Sequence, residues 1–473
     1  RQRSPPYLHP SRCAEAMRWL LGCAALLLAG SCAPGPATIH VDTRQRHQTI
    51  AGWEATARLW EFDKRRDRFD DSWLAQRDRL FDLLVTDAGI DRLRLEIRSG
   101  AENPVDYWTQ FADGRIGYRE FKRQFYAKIN DNDDPYRLDP AGLQFSEFDW
   151  RVENIVLPVK ARVEARGRRF RLNLAYVDFK WSAQQGSLSH ARHPQEYAEL
   201  MTETMQHLKK KYGLTPDDVE IIIEPDNTTG WRGSEIGNAI VALGPRLVAA
   251  GLPLPAVIAP STAQARRALV YFAALAAVDG AASQVATLSY HRYEGAPGPT
   301  LLGMLRGTAR AAGATTAMLE YVDGDIDDLF DDLTQADATA WQQFGIATRD
   351  RPGKPPPAGW LIVAPAAPGV APDLSDSARA LAQIFTHVPQ GSVRIDAGSS
   401  TRGLKSVGFL TPGGKVVLAF KSADGGILTI RGLPSGRYRL TSDSSGTAAR
   451  DVDVSDTLQY RAQPYATVTL TEL

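Results

Sequence analysis

The 473-residue chain is too long for one small core and suits a barrel of about 250 to 300 residues with a second module of about 100. Lysine plus arginine and aspartate plus glutamate both number 55, so no net field draws the protein to nucleic acid or acidic membranes, and an uncharged partner is expected. A hydrophobic fraction of 43% with 23% charged residues excludes intrinsic disorder, and three cysteines that all precede the first candidate strand exclude disulfides and cysteine-held zinc from the folded part.

From the N-terminus, Met17-Arg18 and the apolar run Trp19 to Gly30 read as the charged and hydrophobic regions of a signal peptide, too short to span a membrane. The residues ahead of Met17 are set aside as upstream of the start. Leu28-Ala29-Gly30-Ser31-Cys32 resembles a bacterial lipobox. That resemblance implies a lipoprotein signal over 17–32, Cys32 acylated as a lipid anchor, and export to the cell envelope, with the outer membrane as the expected site. The alternative is plain secretion after cleavage near Ala33. Residues 33–48 form a Pro/Gly tether and strand. From 49 to 372, eight β runs alternate with amphipathic stretches: Ile50–Thr56, Arg92–Ile97, Phe170–Tyr176, Val219–Glu224, Ala256–Pro260, Val285–Tyr290, Thr315–Glu320 and Thr339–Phe344. The alternation predicts an α/β fold, a closed (β/α)8 TIM barrel. No G-x-G-x-x-G turn follows the first strand, which argues against a dinucleotide-binding open sheet. After the Pro-rich stretch 351–372, short alternating strands separated by turns such as Pro412-Gly413-Gly414 predict an antiparallel β-sandwich over 373–473.

Glu224 and Glu320 each close an apolar strand, where a barrel carries its active site. Two carboxylates facing one cleft divide acid and nucleophile roles in glycoside hydrolysis. Alone, either glutamate caps a helix or pairs with an arginine. His291 and Tyr293 end the strand before Glu320, where a tyrosine hydroxyl donated to a carboxylate keeps it ionised; the alternative is that both rings pack under a loop. Trp53, Trp181, Trp231 and Trp341 are candidate sugar platforms or core residues, Trp341 foremost. With eight histidines, none in an H-x-H or H-E-x-x-H arrangement, no metal is expected, and no cofactor.

These residues together resemble glycoside hydrolase family 30, its glucosylceramidase-like and xylanase-like members, over nearly the whole chain after the leader. Gln48-Thr49-Ile50-Ala51-Gly52-Trp53 is similar to the family's opening strand and Arg92-Leu93-Arg94-Leu95 to its second, where Arg94 matches the active-site arginine. Glu224-Pro225-Asp226 resembles the acid/base segment, His291-x-Tyr293 the His-x-Tyr strand, Glu320 the nucleophile and Trp341 a barrel tryptophan; Glu224 and Glu320 stand 96 residues apart, room for two intervening strands and their helices. Phe385–Ile395 and Pro464–Leu470 resemble the family's side domain, which implies that the strand before the barrel joins the sandwich.

The resemblance implies a retaining hydrolase of β-glycosidic bonds, a monomer acting on a carbohydrate, with Glu224 as acid/base, Glu320 as nucleophile and a carboxyl spacing of about 5 to 5.5 Å. Arg94, His291, Tyr293, Trp341, Asn227 and Trp181 are the substrate-binding candidates. Ile223 stands where the family has an asparagine that donates to the sugar 2-hydroxyl, and Asn227 or Asn173 is the candidate substitute. Tyr176 to Trp181 replaces the family's third-strand ending. Ile223 also motivates the rival expectation: a lipid-anchored carbohydrate-binding protein on a degenerate barrel.

Overall fold

The computed structural model describes residues 37–179, 185–293, 295–351, 353–365, 370–444 and 448–473. The leader, Cys32 and Trp181 lie outside them. No helix among the described residues is long and apolar enough to cross a membrane. Eight parallel strands pair in chain order: Gly52–Thr56, Arg92–Arg98, Arg171–Val177, Asp218–Glu220, Ala256–Thr262, Val285–Tyr290, Thr315–Met318 and Ala338–Arg349. The eighth also pairs with the first, so the sheet closes into a barrel and leaves none of these strands with an unpaired edge. The (β/α)8 expectation is met. Helices such as Pro194–Tyr212, Gly233–Ala249, Ala265–Ala276 and Pro299–Ala311 cross between successive strands and cover the outside.

Period-two alternation decides what each strand sends inward. On the second strand Leu93, Leu95 and Ile97 enter the apolar layer between barrel and helices. Arg92, Arg94 and Glu96 take the lumen face. Arg92 donates to Glu54 of the first strand and lies 3.3 Å from Asp218 of the fourth, while Asn173 of the third donates to Glu220 at 3.1 Å. Across the lumen Ile258, Ala317, Leu319 and Ala340 form an apolar wall. One half of the barrel interior is therefore ionic and the other apolar.

The second domain is one nine-stranded sheet wrapped around its own core. The strand Ala37–Thr49, which precedes the barrel, pairs antiparallel with Val393–Ser399 and parallel with Gly426–Arg431, and adds Ile39 and Val41 to that core. Alternation again divides the faces. Val416, Leu418 and Phe420 turn into the sandwich, whereas Val417 and Ala419, with Val407 and Phe409 of the neighbouring strand, join the barrel's apolar core. The helix Asp376–Phe385 lies at this junction. Its Ala378, Leu381, Ile384 and Phe385 belong to the barrel core, and Phe385 stacks on Trp53 with ring centroids 4.5 Å apart.

Phe409 is a fully buried side chain at the junction. Phe409→Ala is expected to lower stability by about 3 to 5 kcal/mol, the cost of truncating a buried aromatic, read by urea denaturation against the parent protein.

Candidate active site

The fourth-strand ladder stops at Glu220. Ile221 and Ile222 continue into the apolar layer, Ile223 packs with Ala175, Val177 and Tyr126, and the chain then turns sharply at Glu224. Glu224 is left-handed, with φ 48° and ψ 59°, which costs a residue bearing a Cβ about 1 to 2 kcal/mol. Its N–H donates to the Ser261 carbonyl at 2.9 Å, and its carbonyl accepts from the Asn227 N–H at 2.8 Å. Strain of this kind collects at functional sites, where surrounding bonds over-determine the backbone. The seventh strand stops at Met318, and Glu320 follows two residues later.

The two carboxylates are held differently. Glu320 Oε2 accepts from Arg94 Nη2, Glu320 Oε1 accepts from the Tyr293 hydroxyl at 2.7 Å, and Arg94 Nη1 donates to the Leu319 carbonyl at 3.0 Å. Glu224 Oε1 lies 3.1 Å from His291 Nδ1, and Oε2 accepts from Asn227 Nδ2 at 2.7 Å. One oxygen of each carboxylate and a ring nitrogen of His291 all lie within 4.8 Å of one another. Both glutamates open on a cavity of about 450 Å³, whose wall includes Arg58, Glu96, Tyr118, Phe125, Ile223 and Phe344. That size suits a small-molecule site.

Burial opposes charge on Arg94, but the carboxylates of Glu320, Glu220 and Glu96 outweigh it and hold the guanidinium protonated. Burial, the Glu320 charge and their hydrogen bond push the Tyr293 phenol up, so it stays a donor. Burial also pushes the Glu224 carboxyl up; the His291 hydrogen bond and charge, Asn227 and Arg94 more than reverse this and leave it below the ordinary range. His291 moves the other way: burial lowers it, and Glu224, Glu320 and Glu220 raise it above its usual value. Glu224, His291 and Glu320 are close enough to bracket a cation, yet Arg94 and Tyr293 already occupy Glu320, and Asn227 and His291 occupy Glu224.

Arg94, Glu224, Asn227 and Glu320 thus line one cavity, and His291 and Tyr293 join them through their contacts with Glu224 and Glu320. Trp341 does not, which corrects its assignment as a sugar platform. On the eighth strand Ala340 takes the lumen position and Gln342, two residues on, reaches Thr56 at 2.9 Å, so Trp341 between them points into the helix layer. There its Nε1 donates to Asp332 at 2.9 Å and the ring is fully buried. Trp53 and Trp231 are buried likewise, bonded to the Val388 carbonyl and Asp178. Asn173 is committed to Glu220 inside the barrel and does not replace the missing asparagine. Arg58, Glu96 and the Tyr118–Tyr126 wall were not singled out from the sequence. Glu96 had a signal, since it shares Arg94's face two residues on; the aromatic wall had none.

No protein-family model matches the sequence, and no curated protein matches it. Solved structures do match in fold. The catalytic domain of the GH30 xylanase C from Talaromyces cellulolyticus superposes with a TM-score of 0.65 at 16% identity, covering 92% of this chain and 100% of that one. A GH30 endoxylanase from Clostridium papyrosolvens C71 gives 0.63 at 16% identity, covering 92% and 99%. The endo-β1,6-glucanase BT3312 gives 0.61 at 13%, covering 93% and 95%. The chain therefore has a family 30-like architecture, barrel and side domain together.

The Glu224–His291 pair should mark the pH dependence of stability. A carboxyl held below its ordinary 4.5 adds stability that is present above that pH and is lost as pH falls through the folded value. An imidazole held above its ordinary 6.5 adds stability that is complete below that pH and is lost as pH rises through the folded value. The stability difference between the parent and His291→Gln should therefore be largest between pH 4.5 and 6.5 and shrink on both sides, by thermal melting across a pH series.

Proposed function

We propose that this protein is a retaining glycoside hydrolase that cleaves β-glycosidic bonds of a glycan or glycoside by double displacement, with Glu320 as nucleophile and Glu224 as acid/base. The observation that carries the reading is the carboxylate pair: oxygens within 4.8 Å of each other, facing one cavity, with opposite partners. Retaining enzymes place the two carboxyls about 5 to 5.5 Å apart, and inverting enzymes about 6.5 to 9.5 Å apart to admit a water. The likeness to two GH30 xylanases and an endo-β1,6-glucanase supports a β-linked glycan as substrate.

In this reading Arg94 and Tyr293 hold Glu320 aimed at the anomeric carbon. Glu320 attacks, the glycosidic bond breaks, and the departing oxygen takes the proton that Glu224 and His291 share. Glu224, now a base, removes a proton from water; the resulting hydroxide attacks the anomeric carbon and frees Glu320, with configuration retained. We read the protein as exported and tethered through Cys32, on the strength of its leader alone. One observation favours the rival, a carbohydrate-binding protein that lost turnover: Ile223 lines the cavity in place of an asparagine and offers no donor to a sugar hydroxyl.

Hydrolysis of aryl β-glycosides and a panel of β-glycans by the mature domain separates the two. Turnover is expected, abolished in Glu320→Gln. In Glu224→Gln it should fall about 10²- to 10⁴-fold on glycans, the usual worth of a general acid, and less on aryl glycosides whose leaving group needs no proton. Glycan binding without turnover by the parent would establish the rival.

A further inference from the structure

A second group of acids lies apart from the cavity, where the segment after the Tyr118–Tyr126 wall meets the first turns of the helix Pro194–Tyr212. One oxygen each of Asp131, Glu196 and Glu199 lies within 4.8 Å of the others. Glu196 and Glu199 are 1% and 4% exposed, and Oε2 of each, though buried, accepts a hydrogen bond from no described group. Their other oxygens are engaged, Glu196 Oε1 by Asn130 Nδ2 at 3.0 Å and Glu199 Oε1 by Arg246. A buried carboxylate oxygen with no donor is costly unless something positive lies beside it.

We propose that Asp131, Glu196 and Glu199 bind a divalent cation, calcium by the chemistry of the donors. The set is oxygen only. Two histidines stand close by: His190, grouped with Glu102 and Glu196, has both ring nitrogens engaged, Nδ1 with the Tyr176 hydroxyl at 2.5 Å and Nε2 with Glu102, and His193, which caps the helix, is bonded through Nδ1 to the Ser189 carbonyl at 3.1 Å; neither belongs to the Asp131–Glu196–Glu199 set. Calcium takes carboxylate oxygens at about 2.3 to 2.6 Å, and oxygens on one such ion lie no further apart than about twice that. Charge agrees with the assignment: Glu102, Asp131, Glu196 and Glu199 face Arg246 on Glu199 and the buried Lys128, whose charge acts on Glu102. A divalent cation would offset the excess of carboxyls in that group. It would also tie the Asn130–Asp134 segment to the helix Pro194–Tyr212 and so brace the loop that follows the aromatic wall of the cavity. The assignment does not depend on the hydrolase reading.

The protein is stripped with EDTA, dialysed against calcium chloride or buffer, assayed for bound metal by mass spectrometry and melted in each state. One calcium per chain and a rise of several degrees in Tm are expected. Glu196→Gln and Asp131→Asn, each made separately, should bind none and melt alike with and without calcium. A parent chain that holds no calcium and melts identically in both buffers would overturn the site. So would variants that still take up one ion, or a Glu196→Gln chain that melts above the calcium-free parent while calcium moves neither, which is the signature of a proton shared between Glu102 and Glu196.

Discussion

A guanidinium buried in a barrel must be neutralised where it stands, and Arg94, whose side chain is 1% exposed, sets the terms for the site above it. Strand alternation puts it in the lumen; its length carries it across to the seventh strand, where it holds the Leu319 carbonyl and the Glu320 carboxylate together. Glu320 is thereby fixed in place. The remaining oxygen of Glu320 goes to Tyr293, and His291, two residues earlier, reaches Glu224. One short segment after the sixth strand thus serves both carboxylates.

Beneath this layer the interior continues as ions: Arg92 with Glu54 and Asp218, and Arg171 with Asp218. Buried ion pairs of this sort gain little net stability, because desolvation offsets most of the attraction, but removing one partner costs about 3 to 5 kcal/mol. They specify which residues face inward. Stability comes instead from the apolar shell outside the strands, where Trp53, Trp341 and Phe385 pack, and from the sandwich, which buries Val407, Phe409, Val417 and Ala419 against it. The side domain is joined to the barrel through a shared core.

Much of this was legible in the sequence because patterning is local. The run Arg92-Leu93-Arg94-Leu95-Glu96-Ile97 states its own inward and outward faces, and a glutamate that ends an apolar run states where a barrel strand meets its loop. The same rule, applied to Ala340-Trp341-Gln342, would have turned Trp341 outward; a family resemblance supplied the position of that ring without its direction. The wall formed by Tyr118, Phe125 and Tyr126 was not legible, since it comes from an excursion between the second and third strands whose return to the cavity depends on tertiary contacts. The grouping of Glu196 and Glu199 with Asp131 was hidden for the same reason: the residues meet across 65 and 68 residues of chain.

The proposed reaction asks Glu224 for a proton, yet with the cavity open to water the neighbouring imidazole holds that proton more tightly. The opposition is between two large effects. Burial disfavours the carboxylate, and His291 favours it. A sugar ring entering the cavity displaces water and strengthens the first effect, while a hydroxyl bound at Oε2 has to compete with Asn227. In the proposed reaction, excluding water in this way would favour transfer of the proton from Nδ1 towards Oε1, across a contact 3.1 Å long. Ile223 bears on the same balance: it lines the cavity next to Glu224 and offers the carboxylate no donor, where an asparagine would offer one.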